Sequence, residues 1–220
     1  MNAHPKTAAL ATQLETADPA ANLQPNFAEQ LVQAAEVLFP CFETGKPIDA
    51  KTLRAAMEGA FGANDTSGAW VWKDAYDAVE IAQVMMITRY GASMRKQAAS
   101  PAQFLSMVER LSALAPSHTR RSEDSVRLQQ FSTPLPLAAI VAEAAGFRPS
   151  DFVLEPSAGT GMLAVFGQIA SAIIALNELA EVRRGVLRAL FAAAPVSGHD
   201  AASIDDRLDR AITPSVIVMN

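Results

Sequence analysis

The chain has 220 residues, half of them apolar, and a formal net charge of −5 at pH 7. Such a chain is long and apolar enough to bury a substantial core, and its acidic balance argues against a strongly basic nucleic-acid binder. Its single cysteine, Cys41, excludes an intramolecular disulfide and a cysteine-based zinc cage.

Nothing in the sequence predicts secretion or membrane insertion. Residues 1–24 lack a basic start followed by a continuous apolar run, so we expect no signal peptide there. No apolar run is long enough to cross a membrane. We therefore expect a cytoplasmic protein without a membrane partner.

The first half of the chain shows helical periodicity. Residues 1–25 are sparse in apolar side chains and interrupted by prolines, so we expect a flexible segment there. Residues 26–118 carry apolar positions at helical spacing and are predicted to form an all-helical module. Its first helix is expected to run from Phe27 and stop at Pro40, and Asp49 is placed to cap the second.

Two further helices are predicted in this module. The first runs from Trp72 to Tyr90 with Gly91 near its end, and the second runs from Pro101 to Ala115. Aromatic residues at this spacing favour packing against a neighbouring helix, and a base-stacking platform is the alternative. No catalytic signature is recognisable in the module.

A basic run flanks the middle of the chain. A solvated linker explains it, and contact with a phosphate backbone is the alternative. Its members are Arg110, His118, Arg120, Arg121 and Arg127.

Strand and helix patterns alternate in residues 119–220. One helix is expected to have Thr133 as its N-cap, Pro134 at its first position and Gly146 as its terminator. The predicted helices are 134–145, 160–169 and 179–191, and the predicted strands are 152–155, 172–176, 195–198 and 215–219. This alternation predicts the α/β class, with a parallel sheet covered by helices.

The most informative stretch is a short strand that ends on Glu155 and continues into a glycine loop. Gly159, Gly161 and Ala164 fit the dinucleotide-binding fingerprint, in which glycines let the main chain approach a ligand. Glu155 would repel a pyrophosphate and attract a cation. S-adenosylmethionine carries an ammonium and a sulfonium but no phosphate, so we expect it as the cofactor. A tight turn without a ligand and a nicotinamide dinucleotide site are the alternatives.

With these motifs in view, the second half resembles the class I S-adenosylmethionine-dependent methyltransferases, specifically the type that methylates adenine N6 in DNA. The matching segments are Phe131-Ser132-Thr133-Pro134, the loop from Glu155 to Gly161, the pair Asn177-Glu178 and the triplet His199-Asp200-Ala201. Residues 205–209 and 216–220 also resemble bacterial methylase–helicase proteins of the strawberry notch type, in which such a domain precedes a helicase. The resemblance covers about residues 126–220.

This resemblance implies a role for each motif. Glu155 would hold the methionine ammonium, Glu178 would accept hydrogen bonds from the ribose hydroxyls, and Asp200 would accept from the adenine amino group. Thr133 would contact the methionine end of the cofactor. The loop residues expected at the cofactor are Ser157, Ala158, Gly159 and Gly161.

Three of these residues have alternative explanations. Thr133 is also explained as a helix start, and Asp200 as the cap of a short turn. Glu178 is also explained as a surface carboxylate near a helix N-terminus, where the helix dipole favours it.

In this family the fourth strand ends in Asn-Pro-Pro followed by an aromatic residue, and these groups hold the flipped target base. The resemblance therefore implies Asn220 as a catalytic residue. We expect an incomplete Rossmann-like class I methyltransferase sheet of four strands, preceded by the helical module, in a truncated chain with little or no turnover. DNA is the expected substrate, through parts mostly outside this chain, and a helicase domain is expected downstream. The alternatives are an amino-methyltransferase for RNA or protein glutamine, and a non-catalytic interaction module with a relic cofactor fold.

Overall fold

The structure, a computed structural model, describes residues 25–116, 132–208 and 213–220. The predictions for residues 1–24, for the basic residues from His118 to Arg127 and for Phe131 lie outside these ranges. Within the described ranges, no helix has the length and apolar character needed to span a membrane.

The first half is helical, in agreement with its periodicity. Its helices are α1 (Pro25–Thr44), α2 (Ala50–Phe61), α3 (Trp72–Met86), α4 (Ala92–Gln97) and α5 (Pro101–Ser112), with a 3-10 turn at Asp65–Ser67 and a π-helical turn at Ile87–Gly91. Asp49 caps α2 as predicted, because its carboxylate accepts the N–H of Thr52 at 2.7 Å.

Two predicted helix ends are wrong. Pro40 lies inside α1, because buried Leu38 and Phe42 on either side of it pack into the core. Thr44 Oγ1 also donates to the Pro40 carbonyl at 2.7 Å. Gly91 does not end a helix either, since the π-helical turn connects α3 directly to α4. A Cβ at Gly91 would lie 2.9 Å from Cδ1 of Ile169, so glycine permits a close approach there.

The second half is α/β, as predicted. Its elements are α6 (Leu135–Ala145), β1 (Phe152–Glu155), α7 (Ala164–Ile169), β2 (Ile173–Asn177), α8 (Glu181–Leu190), β3 (Val196–Ser197), a 3-10 turn (Ala201–Ser203), α9 (Ile204–Arg207) and β4 (Val216–Ile217). The strands form one parallel sheet in the order β3-β2-β1-β4. This order is compatible with a Rossmann-like sheet, whose strand order reverses beside the first strand.

The start of α6 differs from the prediction. Thr133 is not its N-cap, because Pro134 occupies the cap position and the helix begins at Leu135. Gly146 ends the helix as predicted, in the left-handed conformation with φ +59°. Thr133 is thereby free of a capping role.

The helical half packs directly onto the α/β half. Helix α1 contacts α8, α5 contacts α6, and the π-helical turn contacts α7. Nearly all buried apolar residues of both halves form one continuous cluster, from Leu31 on α1 to Val218 after β4. The helical half therefore forms part of the same core as the sheet.

Candidate functional site

A cavity of about 540 Å³ lies at the carboxyl edge of the sheet. Residues at the ends of β1 and β2, Glu155 and Asn177, line it together with the loops that follow β1, β2 and β3. Ligands of open parallel sheets bind at this edge, next to the point where the strand order reverses. The volume falls within the range of roughly 300–1,000 Å³ that is typical of small-molecule sites.

The cavity gathers nearly all of the residues singled out from the sequence. Those that line it are Thr133, Glu155, Ser157, Ala158, Gly159, Glu178, Asp200 and Asn220. Gly161 is not among the lining residues.

Gly161 is instead needed for packing behind the loop. Its φ is +87°, in the region that favours glycine, and a Cβ there would overlap the buried ring of Phe191, with Cζ at 2.7 Å. Cδ2 of Leu187 would lie at 3.1 Å. Glycine at this position therefore lets the loop sit closely on α8.

Gly161→Ala is expected to lower the free energy of unfolding by about 2–3 kcal/mol, because it combines a strained φ with overpacking. Gly62→Ala is the matched control, since Gly62 has φ +67° and no atom lies within 4 Å of the position that a Cβ would take there. Urea denaturation of both variants separates the two effects. Equal losses in both variants would show that the Phe191 contact is not the constraint.

Glu155 is the most unusual group in the cavity wall. It is 2% exposed, and its Oε2 has no hydrogen-bond partner among the described residues. Burial raises its pKa well above the ordinary value; an N–H bond from Ala164 opposes this, and the charge of Glu178 adds to it. A buried carboxyl oxygen without a donor is costly, so this atom is suited to a proton or to a ligand donor.

Glu178 holds the glycine loop against the sheet. Its Oε2 accepts the N–H of Gly159 at 2.8 Å, and its Oε1 accepts the N–H of Ala180 at 2.8 Å. The alternative of a surface carboxylate is wrong, because Glu178 is only 8% exposed. Each carboxylate oxygen has two acceptor positions, so these bonds leave capacity for a ligand hydroxyl.

Asn177 joins the three strand ends, a role that the sequence patterns did not reveal. Its Nδ2 donates to the carbonyls of Pro156 at 2.9 Å and His199 at 2.8 Å. Its Oδ1 accepts from Ser197 Oγ and from the His199 N–H, both at 2.8 Å. Both donors and both acceptor positions of the amide are used, which fixes the rim of the cavity.

Asp200 meets its capping alternative, and Thr133 lies at the cavity without capping a helix. Asp200 caps the 3-10 turn that follows β3, because its Oδ1 accepts the N–H of Ala202 at 3.0 Å. It also lines the cavity, so capping and ligand contact are compatible. Thr133 is half-buried and lines the cavity beside Ser132.

A buried charge network from α3 lies behind the glycine loop. Asp77 accepts from Arg183 Nη2 and from Lys73 Nζ, each at 2.9 Å. Glu80 Oε2 accepts from Thr160 Oγ1 at 3.2 Å. Of these five residues, Thr160 and Arg183 line the cavity.

Glu80 titrates near neutral pH in this environment. Burial raises its pKa to about 7; the charge of Asp77 acts in the same direction, and Ser132, Arg183 and Thr160 oppose it. The sequence contains a signal for this network, although helical periodicity alone did not single it out. The residues of α3 around Asp77 and Glu80 are otherwise almost entirely apolar, and a helix buried on all sides must pair its charges.

A comparison of the chain with family models, curated proteins and solved structures found no match. The protein is therefore described by its fold and its site. It has a parallel α/β sheet with a polar cavity at the carboxyl edge, and buried carboxyls and a glycine loop line this cavity. Among the described residues, no group of three or more His, Cys, Asp and Glu side chains is arranged to hold a metal ion. The cavity wall carries hydrogen-bond acceptors, with the carboxyls of Glu155 and Glu178 among them.

Proposed function

We propose that this chain binds S-adenosylmethionine, as the cofactor-binding portion of an amino-methyltransferase that acts on adenine N6 in DNA. The observation that carries the proposal is Oε2 of Glu155 in the cavity wall, which has no hydrogen-bond partner within the described part of the chain. An ammonium donor would satisfy this oxygen and favour the ionised carboxylate. A pyrophosphate has no cationic donor for this oxygen, and its negative charge would favour the protonated form of Glu155.

The other lining residues suit the remaining parts of this cofactor. Glu178 has acceptor capacity for the ribose hydroxyls, Asp200 would accept from the adenine amino group, and Thr133 would contact the methionine end. The cofactor supplies an electrophilic methyl group. Asn220 also lines the cavity and would accept a hydrogen bond from the target amino group.

The choice of DNA adenine as the target follows the resemblance of the four sequence segments. The same resemblance is the basis for proposing a helicase as a partner. Methyl transfer from labelled S-adenosylmethionine to DNA, to RNA and to a glutamine-containing peptide separates the target classes. Because little or no turnover is expected of this chain, any label is expected at a low rate and only as N6-methyladenine in DNA. Label in RNA or peptide would overturn the choice of target.

Isothermal titration calorimetry tests the cofactor directly. We expect S-adenosylmethionine to bind with a micromolar Kd and reduced nicotinamide dinucleotide to give no binding, because only the former lacks phosphate. S-adenosylhomocysteine keeps the ammonium and is expected to bind as well. Binding of the nicotinamide dinucleotide in preference to S-adenosylmethionine, or no binding of either adenosyl ligand, would contradict the proposal.

A further inference from the structure

We propose that Glu80, on α3 of the helical half, is a positioning residue that holds the glycine loop in its ligand-binding conformation through Thr160. The inference rests on the proposed function and deepens it, because it makes the helical half part of the cofactor site. Glu80 is not among the residues that line the cavity, so it acts through the loop and not by touching the ligand.

The glycine loop is fixed from two sides. On the sheet side, Glu178 accepts the N–H of Gly159 at 2.8 Å. On the helical side, Glu80 accepts the hydroxyl of Thr160 at 3.2 Å. Thr160 is 3% exposed and lines the cavity, so displacing it changes the shape of the cavity wall. Two neighbouring loop residues thus depend on carboxylates from two different parts of the fold.

Arg183 extends the same contact to α8. Its Nη2 donates to Asp77, one helical turn before Glu80 on α3, at 2.9 Å. Its Nη1 lies 3.9 Å from the position that a Cβ on Gly159 would take, so the guanidinium lies against the loop. Helix α3 therefore contacts the loop directly through Glu80 and indirectly through Asp77 and Arg183.

This arrangement is not explained by stability alone. A buried ion pair generally stabilises a fold no more than well-packed apolar side chains of similar volume. Glu80 is 7% exposed and Asp77 is 5% exposed, in a helix whose neighbouring positions are apolar and buried. The polar groups lie on the side of α3 where the loop and Arg183 are, which is where they determine the shape of the site.

Protonation of Glu80 adds a property that a simple packing contact lacks. The charged groups that face it are Asp77 on α3 and Arg183 on α8, and its hydroxyl partners are Ser132 and Thr160. Because its pKa is raised to about 7, both forms are populated near neutral pH. A cationic ligand in the cavity favours the ionised form, so binding strengthens as pH rises toward the raised pKa of about 7.

Calorimetric titration of S-adenosylmethionine into three variants tests the inference. Glu80→Ala is expected to weaken binding about tenfold or more, and Glu80→Gln, which keeps an acceptor for Thr160, is expected to restore most of the affinity at pH 6. Glu80→Gln should also flatten part of the pH dependence of Kd. Val79→Ala is the control, because Val79 is the buried apolar neighbour on the same helix and its truncation lowers stability without removing an acceptor. Equal weakening in Glu80→Ala and Val79→Ala would overturn the positioning role, and so would full affinity in Glu80→Ala.

Hydrogen exchange of the ligand-free protein separates this inference from the proposed function. Relative to the amides of β1, the amides of residues 159–161 are expected to exchange about tenfold faster in Glu80→Ala and at the parent rate in Val79→Ala. If the parent does not bind S-adenosylmethionine but the loop amides still depend on Glu80, the proposed function fails and the positioning role holds. If the parent binds and loop exchange is unchanged in Glu80→Ala, the positioning role fails and the proposed function holds.

Discussion

Glu155→Gln is expected to weaken S-adenosylmethionine binding by about 30- to 150-fold, equivalent to about 2–3 kcal/mol for a hydrogen bond to a charged group. The substitution keeps the size of the side chain and one acceptor, but it removes the charge that would hold the ammonium. Isothermal titration calorimetry at pH 7 measures the effect. Glu109→Gln is the matched control, because it makes the same change in charge at an exposed position of α5. Parent-like affinity in Glu155→Gln would show that this carboxylate does not hold the cationic group.

The same substitution is expected to make the ligand-free protein more stable above acidic pH. The pKa of Glu155 is raised in the folded state, so the folded protein keeps its proton where the unfolded chain has released it. The protonated Glu155 therefore contributes fully to the free energy of unfolding below the unfolded-state pKa of about 4.3. This contribution is lost as pH rises through the raised folded-state pKa. Thermal unfolding at pH 5 and pH 8 should show a larger decrease in Tm for the parent than for Glu155→Gln. Parallel pH profiles would contradict the burial of an ionisable group at this position.

Asp77→Ala is expected to cost about 3–5 kcal/mol of unfolding free energy, because it leaves Arg183 buried without the acceptor it now uses. The side chain of Arg183 is 7% exposed, and a guanidinium does not lose its proton at accessible pH. Its Nε already lacks a hydrogen-bond partner among the described residues. Urea denaturation measures the loss.

Arg183→Met provides the comparison for this prediction. It should cost less than Asp77→Ala, because Asp77 keeps its bond to Lys73 and a buried carboxylate can take up a proton. The double variant is expected to lose less unfolding free energy than the two single variants lose together, since it leaves neither Asp77 nor Arg183 without its partner. Additive losses would show that the two side chains do not act as a pair.

Local sequence pattern accounts for much of the second half of the fold. β1 has the predicted bounds because a short apolar run lies between Asp151 and Pro156. β2 is displaced by one residue, because it pairs with β1 from Ile173 onward and with β3 through Asn177. α7 begins at Ala164 and not at residue 160, because the turn around Gly161, with φ +87°, occupies the intervening positions. Glycines predict that the chain turns, but not how many residues the turn uses.

The long-range part of the site was not predictable from these patterns. Asp77 and Arg183 are separated by 106 positions, and Thr160 and Glu80 by 80. Helical spacing identifies the apolar face of α3 but does not show which remote loop packs on its charged positions. The residues that line the cavity were found from the sequence because motif and strand order bring them together at one sheet edge. The residues behind the loop could be identified only from the packing of α3 against it.

The π-helical turn at Ile87–Gly91 explains how one continuous helical stretch serves two sets of partners. An additional residue in a turn shifts the following helix by about 100° relative to an uninterrupted α-helix. Before this turn, Asp77 and Glu80 on α3 contact Arg183 and the glycine loop. After it, Arg95 on α4 forms an ion pair with Glu143, with an N–O distance of 2.8 Å. The turn therefore rotates the contact surface of α4 relative to the contact surface of α3 within one continuous helical stretch.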